Sequence, residues 1–391
     1  MKRSRDASVD SADEVLRQAN KDSAQEKYGK EVLTSFGEVA RCASQDGRVE
    51  CITSLEKLNE RYRSLVKVGE GTFGEVFIVY DTVRETYLTM KKLKRLFHTV
   101  GGTMAGVHMT TFREISLLST ISHPNIVRLL DVHVIAEGWL VVLFPIVAHD
   151  LVTLREWPGG LRRRLSVAAV KCVLRQLLEA VAHLHRHKVL HRDIKANNVM
   201  VGHDGVVKLI DFGWARYRPT TGKMTGPPCI LSMRAPELLV GKHNERNYDL
   251  AVDIWSCGCL LFNLLTDGQP FVRAHCVADA LTCIVDWLGS PPARSHTYYG
   301  PKVAVHVEQG RVNTFSQRCS ALFMQKPEQE FLQMLLQWEP SQRPAAKDLL
   351  AHEWFTMAPL PCRPSELPVP PCSTYGWLDE AEAQAGRSGP Q

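Results

Sequence analysis

The sequence contains no run approaching the roughly 20 consecutive apolar residues that a bilayer-spanning helix requires. Its most continuous candidate, residues 139–148, is half as long and rich in valine, so a buried strand is the simpler reading and no membrane partner is expected. Paired CxxC spacings are missing too. The 11 cysteines are scattered, and Cys257-Gly258-Cys259 falls in an apolar stretch that reads as buried helix, which makes them reduced core thiols of an intracellular protein. No long block of one charge sign occurs either: 47 basic and 42 acidic residues are interspersed with a net charge of +5, too mild an excess to imply a direct nucleic-acid partner. No internal repeat is found. Polar residues rather than an apolar stretch follow Met1-Lys2-Arg3-Ser4-Arg5-Asp6, which argues against a secretory signal.

What is present is enough for a substantial core, with 391 residues of which 45% are hydrophobic. Residues 1–61 form an extension rich in Ser, Asp, Glu and Lys, with short helices conceivable at Val32-Leu33 and at 55–58. From Tyr62 the texture becomes β-like, in Ser64-Leu65-Val66-Lys67-Val68 and Glu75-Val76-Phe77-Ile78-Val79-Tyr80 on either side of a glycine turn. One helix interrupts the strands over 110–120, where Phe112, Ile115, Leu117 and Leu118 recur at helical spacing before Ser122-His123-Pro124-Asn125. After Leu151 the pattern is mostly helical, amphipathic over 167–185 and apolar almost all round over 253–265. Prolines from position 359 onward work against regular structure. The expected class is therefore α+β, a β-rich lobe with one helix followed by a helical lobe over 62–355, with 356–391 as a proline-rich tail.

Gly69-Glu70-Gly71-Thr72-Phe73-Gly74-Glu75-Val76 is a GxGxxGxV loop whose missing side chains let backbone N–H groups approach phosphate oxygens. The same pattern marks dinucleotide-binding folds and ordinary tight turns. Here a second strand follows, where a dinucleotide fold would place a helix. The next strand, Tyr87-Leu88-Thr89-Met90-Lys91-Lys92-Leu93, puts Lys91 where phosphates would lie and points Lys92 the opposite way. Glu114 can supply the carboxylate that holds Lys91. Taken singly, Lys91 reads first as a solvated strand lysine and Glu114 as helix surface, so both assignments rest on the set of motifs.

The strongest signal is His191-Arg192-Asp193-Ile194-Lys195-Ala196-Asn197-Asn198. Asp193 can orient a substrate hydroxyl and accept its proton, Lys195 can neutralise a transferring phosphate, and Asn198 can bind magnesium. Asp211-Phe212-Gly213 follows after a strand-like run, so Asp211 projects from a strand end as a second metal ligand. Packing rarely gathers such residues at these spacings, and phosphoryl transfer is the chemistry they share. Ala235-Pro236-Glu237 and Arg343 suggest a buried structural pair. Asp253 is placed to hold the catalytic loop through its backbone amides.

With these motifs, residues 62–355 resemble a eukaryotic protein kinase domain of bilobal fold, about three quarters of the chain. Within the kinases the chain is similar to the cyclin-dependent kinases, because Thr111-Phe112-Arg113-Glu114-Ile115 stands where they carry a cyclin-binding helix. Asp253-Ile254-Trp255-Ser256-Cys257-Gly258-Cys259 and His149-Asp150-Leu151 fit the same group. Pro359-Leu360-Pro361-Cys362-Arg363-Pro364 resembles a segment of the branch linked to transcription and RNA processing, and reads equally as an ordinary proline-rich tail.

The resemblance implies ATP and Mg2+ as cofactors, transfer of the terminal phosphate to Ser or Thr of protein substrates, and a cyclin-type regulatory subunit that turns the Glu114 helix so that the Lys91 pair forms. ATP would touch the loop from Gly69 to Gly74 and Val76, with Phe144 as gatekeeper, the Pro145 carbonyl and Val147 N–H on adenine, and Asp150 on the ribose. Arg113, Arg192 and Arg216 would converge on a phosphate carried by Thr225. A nuclear or cytoplasmic location follows from the family, with a small Lys2-Arg3-Arg5 cluster beside it.

Several positions depart from the family. Phe73 stands where many relatives carry an inhibitory tyrosine, leaving Thr72 as the loop's phosphate acceptor. Thr89 adds bulk in place of an alanine. Ile230 replaces a threonine that bonds the catalytic Asp and Lys, so Asp193 and Lys195 lose a shared partner unless Ser232 substitutes. Arg234 remains and is compatible with a proline-directed preference. The readings that follow are an active cyclin-dependent Ser/Thr kinase, a pseudokinase scaffold that binds a cyclin or nucleotide without turnover, and a kinase needing no cyclin.

Overall fold

A computed structural model describes residues 52–71, 74–93, 98–100, 103–105, 109–135, 139–156, 165–218, 229–240, 248–292 and 310–370. They fall into two compact units, one reaching residue 120 and including 128–146, the other comprising 121–127 and the chain from 147 onward.

The first unit is built on an antiparallel sheet in the order β1-β2-β3-β7-β6, with β1 Tyr62–Gly71, β2 Gly74–Asp81, β3 Thr86–Leu93, β6 Asp131–Ile135 and β7 Trp139–Pro145. A small hairpin, β4 His98–Val100 with β5 Thr103–Ala105, precedes helix α2, Met109–Thr120. Alternation decides the faces of the sheet. Leu88 and Met90 of β3 join Val79, Val141 and Leu143 in a buried cluster, which leaves Lys91 on the opposite face.

The segment before β1 is part of this unit. Ser54 caps helix α1, Leu55–Arg61, by accepting from the Lys57 N–H, and Ile52, Leu58 and Tyr62 enter the same apolar cluster. A buried polar network fixes it. Arg61 and Arg84 both bond Asp81, Arg84 also reaches Asp131, and the Tyr62 hydroxyl lies 3.1 Å from Asp131 Oδ2 and 3.0 Å from His133 Nε2. The other ring nitrogen of His133 accepts the Ile52 N–H at 3.4 Å. Residues 52–61 thus pack against this sheet, ahead of residue 62 where the domain is expected to begin.

In the second unit, α3 Leu151–Glu156 and the long helix α4 Val167–Arg186, capped by Ser166, lead to the short strand β9 Val189–Leu190 and the catalytic-loop sequence. A small sheet, β11-β10-β8, pairs Val207–Leu209 with Val199–Val201 and His149–Asp150, while β12, Arg216–Tyr217, pairs with β9. Helix α5, Pro236–Val240, precedes α6, Ala251–Leu265, which is buried on every side from Val252 to Leu265. That is why its sequence is apolar without periodicity. Then come α7 Val277–Leu288, α8 Phe315–Ala321, α9 Lys326–Leu335 and α10 Ala346–Leu350, with Trp255, Phe262, Phe271, Trp287 and Phe315 in edge-to-face and tilted contact around α6. Among the described residues no helix is long and apolar enough to cross a membrane.

Candidate active site

In the first unit, β1 and β2 carry the glycine loop, with Gly69 opposite Val76 and Glu70 opposite Glu75. Two like charges face each other there, and Lys67 bridges them at 2.7 Å to Glu70 and 2.6 Å to Glu75. Gly74 is required by space, because a Cβ on it would lie 2.2 Å from the Lys92 carbonyl oxygen. Lys91, paired in register with Val76 and Val142, donates to Glu114 Oε1 at 2.8 Å and Oε2 at 3.1 Å. The partner is therefore bidentate and 5% exposed. Lys92 turns the other way and lays its ammonium 4.1 Å from the Trp139 ring centroid. The strand alternation thus resolves the two adjacent lysines. Phe144 is buried at the end of β7, and Pro145 pairs with Leu88.

In the second unit, the catalytic loop is suspended from α6. Asp253, fully buried, accepts the His191 N–H at 2.9 Å and the Arg192 N–H at 2.8 Å, and His185 Nε2 lies 3.0 Å from it. Burial opposes ionisation of this carboxyl, but the His185 bond and the Arg192 N–H bond outweigh it and hold the group below the usual carboxylate range. Arg192 adopts a left-handed backbone with φ 67°. Its side chain donates to the Trp214 carbonyl at 2.7 Å and to the Tyr248 hydroxyl at 2.6 Å.

Asp193 is 2% exposed and accepts from Lys195 Nζ at 2.7 Å and from Asn198 Nδ2 at 2.8 Å. Asn198 also bonds the Asp193 carbonyl, which commits its amide nitrogen and turns its Oδ1 to other use. Asp211 follows the end of β11 at φ 61°, a conformation non-glycine residues adopt at a cost of roughly 1 kcal/mol or more. The Ile210 N–H donates to the Asn198 carbonyl at 2.9 Å, and His191 holds the Ile210 carbonyl at 3.0 Å, so the Asp193 and Asp211 segments are stitched together.

Other predicted positions fare differently. Asp150 accepts the Thr153 N–H at 2.6 Å and so caps α3, while Val147 is half-buried. Arg192 bonds the Tyr248 hydroxyl, which burial pushes up against the opposing charges of Arg192 and Arg216. Thr72, Phe73 and Thr225 lie outside the described residues, as does the side chain of Arg113, whose backbone belongs to α2. Ile230 is 47% exposed. Lys195 bonds Asp193 directly. Glu237 and Arg343 form the anticipated buried pair, at 2.6 Å and 2.8 Å. Reading the sequence missed His185 and Tyr248, which act over long chain separations and carry no local motif.

Residues 62–355 match the family described as Protein kinase domain. The chain belongs to the protein kinase family. Its relatives place it among the cyclin-dependent kinases. A CTD kinase subunit alpha of Schizosaccharomyces pombe is 32% identical over 78% of this chain and 50% of its own length. Cell division control protein 2 homolog 3 of Trypanosoma brucei brucei is 34% identical over 78% of this chain and 95% of its own. A solved structure of the yeast RNA Pol II CTD kinase CTDK-1 complex contains a chain that aligns with a TM-score of 0.68 at 27% identity, over 81% of this chain and 98% of that one. The chain spans between 50% and 61% of the length of the first plant and yeast relatives it matches.

Proposed function

We propose that the chain is an ATP-dependent Ser/Thr protein kinase, activated by a cyclin-type subunit, acting on Ser-Pro sequences of a nuclear protein such as the RNA Pol II CTD. The observation that carries this reading is the Asp193 carboxylate held by Lys195 and Asn198 in a loop hung from Asp253. A substrate hydroxyl would give its proton to Asp193 while Lys195 offsets charge on the transferred phosphoryl group. Asn198 Oδ1 and Asp211 are the oxygen donors suited to magnesium, and the bound ion would neutralise phosphate charge. Lys91, held by Glu114, would position the nucleotide's phosphates beside the glycine loop. The substrate class is supported by the names of the CTD kinase relatives and by Arg234, whose guanidinium donates to the Cys229 carbonyl at 2.7 Å.

The test is phosphate transfer from Mg-ATP to a Ser-Pro repeat peptide by the chain purified with a co-expressed cyclin, beside an Asp193→Asn control. Turnover should fall by roughly 10³-fold in the control. Equal rates in the two preparations would sink the enzyme reading and leave a scaffold. Full activity of the chain alone would remove the cyclin.

A further inference from the structure

Residues 357–370 follow the last helix of the second unit and lie along α4. Lys171, 1% exposed, donates to the carbonyls of Met357 at 2.8 Å and Pro359 at 2.9 Å, with its ammonium 5.0 Å from the Trp354 ring centroid. The Cys362 N–H then donates to the Ala168 carbonyl at 3.1 Å. Farther along, Gly205, at φ +74°, leaves room for the Pro364 carbonyl, and Leu367 is buried. Ala168 and Cys172 are one helical turn apart on the same face of α4. The backbone bond at Ala168 therefore brings Cys362 beside Cys172, and both are free thiols.

We propose that Cys172 and Cys362 are a redox modification site, oxidised by a hydroperoxide to a disulfide that staples residues 357–370 to α4. Cys362 is partly exposed and Cys172 is buried, so the peroxide reaches Cys362 first. The Cys362 thiolate attacks one peroxide oxygen, the O–O bond breaks, and sulfenic acid and one water form from hydrogen peroxide. The Cys172 sulfur then displaces hydroxide from the Cys362 sulfur, and the Cys172 proton completes the second water. Two thiols lose two electrons and the peroxide gains them.

Geometry favours this partnership, and burial sets its pace. Cys172 is pushed up to about 12 and Cys362 in the same direction, so few thiolates exist at neutral pH. The site would accumulate its disulfide under sustained oxidation rather than respond in seconds. The inference does not depend on the kinase reading, since its readout is a covalent bond.

The test uses the full chain, reduced and then exposed to hydrogen peroxide at pH 7.5 and 8.5, blocked with iodoacetamide and digested without reductant. The expected product is a peptide pair joining positions 172 and 362, two hydrogens lighter than the separate peptides and released by dithiothreitol. It should form about tenfold faster at the higher pH and raise Tm by roughly 5 °C, with both effects absent in Cys362→Ser. Separate alkylation of the two cysteines, linkage to other cysteines, or sulfinic acid at Cys362 without a link would overturn the site. A link that leaves Tm unchanged would overturn the staple.

Discussion

The two units hold their candidate site residues by different means. In the second, the catalytic loop hangs from a single buried carboxylate, Asp253, through two backbone amides, with His185 behind it and Lys195 and Asn198 closing on Asp193. Every one of those groups is fixed by a neighbour that is itself buried or bonded. In the first, Lys91 is held by a side chain from another element, Glu114 on α2, and the glycine loop by a lysine bridge that is 40% exposed. The difference separates a preorganised half from an adjustable one. A regulatory partner can act on a helix that contributes one carboxylate, while a loop bolted to the core offers it little to adjust.

The largest effect should come from breaking the bolt. Asp253→Ala removes the acceptor of two backbone N–H groups and leaves both donors buried, so peptide phosphorylation should fall by about 10³-fold. The loss should persist when the activating subunit is in excess. Rescue by the subunit would show that the loop is as adjustable as the first unit's half. Glu114→Gln comes next. It keeps the shape and loses the charge on Lys91, which should lower kcat/KM roughly 30-fold, in line with the weight of a charge-assisted bond. Nucleotide affinity measured beside turnover decides whether Glu114 acts on binding or on the step itself, and an unchanged kcat/KM would remove the pair from the comparison.

A pH titration probes how the first unit is anchored. Burial pushes His133 down to about 4, and its neutral ring accepts the Ile52 N–H. The folded value lies below the unfolded one, so as pH falls the unfolded chain binds the proton first. The stability is present in full above about 6.5 and is lost as pH falls toward 4, by on the order of 2 kcal/mol. Urea unfolding at pH 7.5 and 5.0 measures it, and His133→Asn should flatten that part of the difference. In the second unit His183 is pushed to about 4 as well, chiefly by burial, so the variant and not the wild type isolates the first unit's share.

These anchors mark the limit of what the sequence reveals. Asp193, Asn198, Lys91 and Asp211 stand out in the sequence because phosphoryl transfer would need such short spacings around a loop and a strand end. The choice between Lys91 and Lys92 is legible because strands alternate. By contrast, His133 with Ile52, Arg192 with Tyr248, and Lys171 with Pro359 join residues far apart in sequence, and each partner alone reads as an ordinary side chain. The docking of the helix before residue 62 escapes notice for the same physical reason: polar composition hides Ile52 and Leu58, two apolar side chains that join the buried cluster of the sheet. Proline content likewise hides the contacts of residues 357–370, because a proline chain without regular structure can still be held by a buried ammonium.

The smallest effect tests the adjustable half at its edge. Lys67 joins Glu70 and Glu75 across the two strands of the glycine loop, and removing it leaves two carboxylates opposed in register. Because the groups are largely exposed, solvent screens most of that repulsion, and Lys67→Ala should raise the KM for ATP by about twofold to threefold with kcat nearly unchanged. The effect should shrink in 0.5 M salt, where screening extends over only a few ångströms. A loss tenfold or larger, or one insensitive to salt, would mean that the bridge positions the loop as firmly as Asp253 holds the catalytic segment, and the contrast between the two halves would no longer stand.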